Sequence, residues 1–216
     1  MDDRLNFAQQ LNLFNPHACQ PVTLIGAGSV GSMIAVRLAK MGVRHLRVVD
    51  HDFVESHNIP MSEYRPCDIG QPKVAALARI IRQATGLAIV SEHRRYEGGR
   101  LAGTVIACVD SMEAREAIWR EVGRNPAVDI LIDTRNAQEF ISVFAIRPCE
   151  EEDIDYYAHY LYPGDTALNQ TCGRHGVYHI ASFTADIALT QLVKFWMSGR
   201  TKRHHQQLVG SLEVIE

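Results

Sequence analysis

Short continuous apolar runs alternate along this chain with longer stretches in which apolar residues recur every three or four positions. Val22 to Ile25 is such a run and reads as a buried strand. A glycine-rich turn follows, then SMIAVRLAKMG, which has helical spacing and a natural C-cap at Gly42. HLRVVD (45–50) is the next strand. His51 to Pro72 is mostly irregular, and KVAALARIIRQATG, from Lys73 to Gly86, is the next helix. LAIVSEHRRY (87–96) reads as a strand and TVIACV (104–109) as a fully buried strand in the middle of a sheet. SMEAREAIWREVG reads as a helix begun by Ser111 or Asp110. VDILIDT (128–134) is a further strand. EFISVFAI (139–146) alternates, as a strand antiparallel to its neighbour does. The succession predicts an α/β fold: a doubly wound sheet, mostly parallel, with antiparallel additions in the C-terminal half.

Three further segments complete this single domain, 1–216. Residues 1–20 form an arm whose Leu5, Phe7, Leu11 and Leu13 are placed to dock on the core or on a second subunit. Residues 148–170 are acidic, aromatic and irregular, and the loop continues to 175 through Cys172; loops of this length in compact domains are functional or mobile. Residues 176–198 form one long helix, apolar on several faces and expected to be buried in the core or at a subunit interface. QLVGSLEVI reads as a closing strand or hairpin, and RTKRHH (200–205) before it as a solvated loop.

Composition narrows the classes. The chain has 216 residues, 46% of them hydrophobic and 22% charged, within the range of soluble globular domains. A net charge of −3 argues against nucleic acid as a partner. Five cysteines without a CxxC pair argue against both a disulfide framework and structural zinc. No uncharged apolar run approaches ~18 residues, so no membrane span is expected. The polar N-terminus does not read as a signal peptide, and a cytoplasmic location fits the cysteines.

The chemistry begins at GAGSVG, Gly26 to Gly31, between a strand and a helix. That context lets backbone N–H groups and a helix N-terminus approach a phosphate; Gly26, Gly28, Ser29 and Gly31 are the candidate residues. Asp50, at the end of the next strand, is placed to accept hydrogen bonds from a ribose. Lys73 begins a helix, against the preference of the helix dipole. It is either a solvated lysine or the neighbour of an anion such as phosphate. Asp110, at the C-terminal end of a buried strand, is either an N-cap or a carboxylate at the sheet edge where ligands bind, available to magnesium.

Taken in order, these segments resemble the MoeB/ThiF adenylyltransferases, bacterial relatives of ubiquitin-activating enzymes, from about Val22 to Gly199. GAGSVG resembles the family's glycine turn, VVDHDFVESHN its D-x-D-x-V-x-x-x-N segment, and DIGQPK its D-I-G-x-x-K segment. VDSMEAR resembles T-D-N-x-x-x-R, and TCGRHGVY with the helix after it resembles the family's cysteine stretch. The resemblance implies a Rossmann-like sheet and a homodimer. It places the ribose on Asp50, with Asp52 in the same segment and Asn58 beside the nucleotide. Phosphates fall to Lys73 and Mg–ATP to Asp110. The implied reaction is ATP-dependent adenylation of the C-terminal carboxylate of a ubiquitin-like or sulfur-carrier protein with a flexible tail. Acyl transfer to Cys172, beside Arg174 and His175, would follow. The chain departs from the family where N-x-x-R-Q reads Asn58, Ile59, Pro60, Met61, Ser62: the loop arginine is a methionine. Gln9 and Gln10 stand where R-Q precedes the first strand. Arg65 and Arg4 are the nearest substitute cations. Two other readings remain: a catalytically weakened nucleotide- or partner-binding module, and an NAD-dependent oxidoreductase, since GxGxxG with Asp50 is also a dinucleotide pattern.

Overall fold

Apolar strands that bury both their faces need helices on both sides of the sheet. The computed structural model describes residues 5–137, 139–162, 177–210 and 213–215. In it β1 (Val22–Ile25), β2 (Leu46–Asp50), β3 (Val90–His93), β4 (Gly103–Ala107), β5 (Val128–Ala137), β6 (Phe140–Ile146), β7 (His204–Leu208) and β8 (Glu213–Ile215) form one sheet. Their spatial order is β3-β2-β1-β4-β5-β6-β7-β8. The first five are mutually parallel, and β6, β7 and β8 add on antiparallel. The sheet is therefore the mostly parallel α/β sheet that the alternation predicts.

Alternate residues of the central strands feed two cores. Leu24, Val48, Ile106, Ile130 and Ile132 face one side, with residues of α1 (Ser29–Lys40), α2 (Lys73–Thr85) and α5 (Tyr178–Ser198). Ile25, Val49, Val105 and Leu131 face the other, with residues of α3 (Met112–Val122) and α4 (Glu151–Ala158). Each such side chain, removed from water, contributes about 1.5–3 kcal/mol. This two-sided burial fixes the C-terminal edge of the parallel strands.

Several elements differ from the sequence reading. The strand expected over 87–96 spans only Val90–His93: it is an exposed sheet edge, and Arg94 N–H makes its last bond to β2, at the Asp50 carbonyl. The loop over 148–170 contains α4, whose first turn carries Glu151, Glu152 and Asp153, the charge that the helix dipole favours there, and whose Ile154 and Tyr157 are buried. The long helix α5 is buried on one face only: Ile180, Ala185 and Leu192 are covered, while Tyr178 and Met197 are 46% and 45% exposed. His204 and His205 belong to β7, not to a solvated loop, and His204 is buried. In the arm, Phe14 stacks on Trp196 at 5.7 Å, while Leu5, Leu11 and Leu13 are exposed. Among the described residues no helix is long and apolar enough to cross a membrane.

Candidate functional site

The glycine turn is dictated by packing as much as by chemistry. Gly26 has φ +93°, and a Cβ there would collide with the Cys108 carbonyl. A Cβ on Gly31 would collide with the carbonyl of Gly26, so the first turn of α1 lies directly on the strand end. Gly28 is different: a Cβ there would meet nothing within 4 Å. It faces open space, as a residue approached by a ligand must. Gly28 is also the N-cap of α1 and no side chain caps it, so the first-turn N–H groups are not taken up by a capping residue.

Beside the turn, Asp50 is buried and binds two backbone amides, Ala27 N–H at 2.6 Å and Asp52 N–H at 2.7 Å. The carboxylate thereby locks the turn to the end of β2. The Tyr64 hydroxyl donates to the Ala27 carbonyl at 2.6 Å from the other side. Burial, then the charges of Asp50 and Asp52, push that phenol above its ordinary range.

Lys73 opens α2, and only 10% of its side chain is exposed. Its backbone N–H bonds the Asp52 carbonyl and its Nζ the Asp52 carboxylate at 2.8 Å. Partial burial raises the Asp52 carboxyl, but the Lys73 hydrogen bond and charge, with His51 and Arg95, outweigh it and hold it low. His51 Nε2 lies 3.3 Å from Asp52 Oδ1, and Arg95 Nη2 lies 3.2 Å from His51 Nε2. Asp50, His51 and Asp52 offer three ligand atoms within 4.8 Å of one another. A dication there would compete with two backbone N–H groups and the Lys73 ammonium, so this is a poor metal site.

Asp110 follows β4. Ser111, not Asp110, caps α3, its Oγ accepting Ala114 N–H at 3.2 Å. That leaves the exposed Asp110 carboxylate without a hydrogen bond or ion pair among the described residues. One such carboxylate suits magnesium, which takes its other ligands from water and phosphate.

These groups line one cleft of 680 Å³ along the C-terminal edge of β1, β2, β4 and β5, a size suited to a small ligand. Gly26, Gly28, Ser29, Asp50, Asp52, Asn58, Met61, Lys73 and Asp110 all line it. Gly31 is buried beneath it. Arg65 is not among its lining residues: its guanidinium turns to Gln83 Oε1 at 3.1 Å, because Asp68 anchors its backbone N–H. Arg4 and Cys172, with Arg174 and His175, lie outside the described residues.

Most of the far wall was missed in the sequence; only Arg115, the last residue of the VDSMEAR segment, was in view. Arg115, Arg135, Thr134 and Asn136 line it, and Arg94 and Arg95 line the opposite end. Asp133 is fully buried between Arg115 Nε at 3.1 Å and Arg135 Nε at 2.7 Å. Burial alone would raise the Asp133 carboxyl; the two guanidinium groups hold it below the usual carboxylate range. For Asp133 and Thr134 the signal was present, since LIDT ends a buried strand, the same rule that singled out Asp110; the place of Arg135 depends on how far β5 runs.

Comparison with known proteins agrees with this architecture. The chain is 28% identical over 186 residues to ubiquitin-like modifier-activating enzyme 5 of Drosophila simulans, covering 76% of this chain and 42% of that protein. It is 32% identical over 104 residues to the NEDD8-activating enzyme E1 catalytic subunit of Arabidopsis thaliana, covering 45% and 23%. The chain thus spans less than half the length of these relatives. Among solved structures, E. coli MccB with ATP superposes with a TM-score of 0.76 at 12% identity, covering 93% of this chain and 64% of that one. PaaA superposes with a TM-score of 0.73 at 17% identity, covering 100% and 84%. At these identities the structures share the fold. The sequence model of the ThiF family matches residues 9–196, and on that match the chain belongs to the ThiF family.

Proposed function

We propose that this chain is an adenylyltransferase that joins the C-terminal carboxylate of a small ubiquitin-like or sulfur-carrier protein to AMP. One observation carries the reading: the open glycine turn, Asp50, the buried Lys73 and the Asp110 carboxylate, which has no partner among the described residues, share a single cleft. A carboxylate oxygen bonds to the α-phosphorus, the bond to the bridging oxygen breaks, and pyrophosphate leaves with no proton transferred. Two anions must meet in that step, so fixed cations and N–H dipoles must offset their repulsion. The first-turn N–H groups of α1 face the phosphates, and Lys73 shifts from Asp52 to the leaving pyrophosphate. Asp110 would hold magnesium, which supplies charge neutralisation on the phosphate oxygens. The crystallised complexes of MccB with ATP and with MccA, and the modifier-activating role named for the Drosophila relative, support the reading by likeness.

A homodimer and acyl transfer to Cys172 extend the proposal. The exposed apolar groove of Leu13, Met41, Leu189, Val193 and Met197 is the surface offered to a second copy. The oxidoreductase reading loses ground, because hydride transfer has no use for Lys73 or Asp110 in the cleft. The weakened-module reading rests on Met61, a neutral thioether in the cleft wall. Pyrophosphate release from ATP, with synthetic peptides ending in Gly-Gly as acceptors, separates the two. Release abolished by Asp110→Ala supports the enzyme, whereas ATP binding without release in any peptide's presence supports the module.

A further inference from the structure

We infer that Arg135 is the cation that receives the incoming carboxylate, a role resting on the adenylation reading above. β5 outruns its parallel neighbour: β4 ends at Ala107, opposite Asp133, and β5 continues to Ala137 along β6. Arg135 therefore stands beyond the end of β4. In the sheet order β2-β1-β4-β5 it is three strand spacings, roughly 14 Å, from Asp50. A nucleotide with its ribose at Asp50 occupies the β1–β2 side of the cleft. Lys73 stands on that same side. In an in-line displacement the leaving and entering groups lie on opposite sides of phosphorus. If Lys73 takes the pyrophosphate, the β5 wall is left for the acceptor.

The guanidinium is built for that role. Nε donates to Asp133 at 2.7 Å and Nη1 to the Tyr160 carbonyl at 2.9 Å, and the guanidinium carbon lies 4.6 Å from the centre of the Phe144 ring. These contacts use two of five N–H donors. Nη2 is buried and makes no hydrogen bond among the described residues. The side chain is only 10% exposed. Arg115 already neutralises Asp133 at 3.1 Å, so a second guanidinium leaves this wall with one positive charge in surplus. A group needed only to pair Asp133 would be redundant. Arg135 lines the cleft, and a carboxylate that displaces part of its cover would meet a guanidinium able to offer a fork of parallel N–H donors. It also supplies, from the opposite wall, a cation that the Met61 loop lacks.

The test titrates the full chain, alone and saturated with a non-hydrolysable ATP analogue, with diglycine and with diglycine amide, followed by NMR shifts. Diglycine is expected to saturate the wild type and its amide to bind at least tenfold more weakly. Arg135→Gln and Arg135→Lys should lose the preference for the free carboxylate while keeping the affinity for ATP within twofold. Arg135→Lys retains the charge opposite Asp133 but not the fork, so it reports even where Arg135→Gln fails to fold. Diglycine binding unchanged in Arg135→Lys, or wild type that binds the nucleotide but not diglycine, would overturn the assignment. Wild type that binds no ATP would instead remove the adenylation reading beneath it.

Discussion

Replacing Lys73 by methionine separates a functional lysine from a structural one. Methionine keeps the apolar stem and removes only the ammonium. In the structure that ammonium is held by Asp52, whose side chain is 49% exposed and is also approached by His51 at 3.3 Å. Asp52 can therefore hydrate when Lys73 is lost, and a pair with one exposed partner is worth about 0.2–1 kcal/mol. For a chain of this size that moves the melting temperature by roughly 2–4 °C at most. Binding should respond differently. A hydrogen bond from an ammonium to a phosphate contributes about 1.5–3 kcal/mol, so the dissociation constant for ATP should rise roughly 10- to 150-fold. Thermal melts without ligand and calorimetric titrations with Mg–ATP give the two numbers on the same samples. A large loss of stability with unchanged ATP affinity would make Lys73 a structural cation and not a phosphate ligand.

Other perturbations follow from the same geometry. Gly31→Ala drives a methyl into the Gly26 carbonyl and should cost about 1–3 kcal/mol in a denaturant titration. Gly28→Ala meets no protein atom and should leave stability unchanged while weakening ATP binding, since its methyl projects into open space. Asp153 is 2% exposed and ties Arg147 and Arg203 to α4, so Asp153→Ala should destabilise by about 1.5–3 kcal/mol, read by thermal melting. His204 is buried between Ser142 Oγ at 2.7 Å and Tyr156 OH at 2.9 Å; burial, then the charge of Arg135, lowers it from 6.5 to about 4. A pKa depressed in the folded state means the unfolded chain binds the extra proton first. Stability should thus be full above pH 6.5 and fall towards pH 4, by up to ~1.4 kcal/mol per pH unit from this group. The variant His204→Phe should flatten the stability profile in that window; an unchanged slope would assign the acid sensitivity elsewhere.

The sheet could be read in the sequence because its strands are apolar on both faces and their helices carry clear stops. Gly86 and Gly199 both adopt left-handed conformations at helix ends, as their positions suggested. The short β3 could not: Leu87 and Ile89 are apolar through packing of the connection on the core, which resembles a strand pattern. Helix α4 was obscured by its length of 8 residues and by three acids in its first turn, which read as loop polarity although they suit a helix N-terminus. In the cleft, Asp50, Lys73 and Asp110 were legible because Asp50 ends a strand, Lys73 begins a helix and Asp110 lies in the short turn between β4 and α3. Arg135 was not, because its place depends on β5 outrunning β4, a matter of register that spacing along one strand does not reveal.

A cleft suited to Mg–ATP and not to a nicotinamide dinucleotide is distinguished by calorimetric titration of the wild-type chain with Mg–ATP and, separately, with NADH, with Asp110→Ala as the companion. Saturable Mg–ATP binding, weakened by Asp110→Ala only when magnesium is present, is the predicted result. Binding of NADH with no binding of ATP would contradict it.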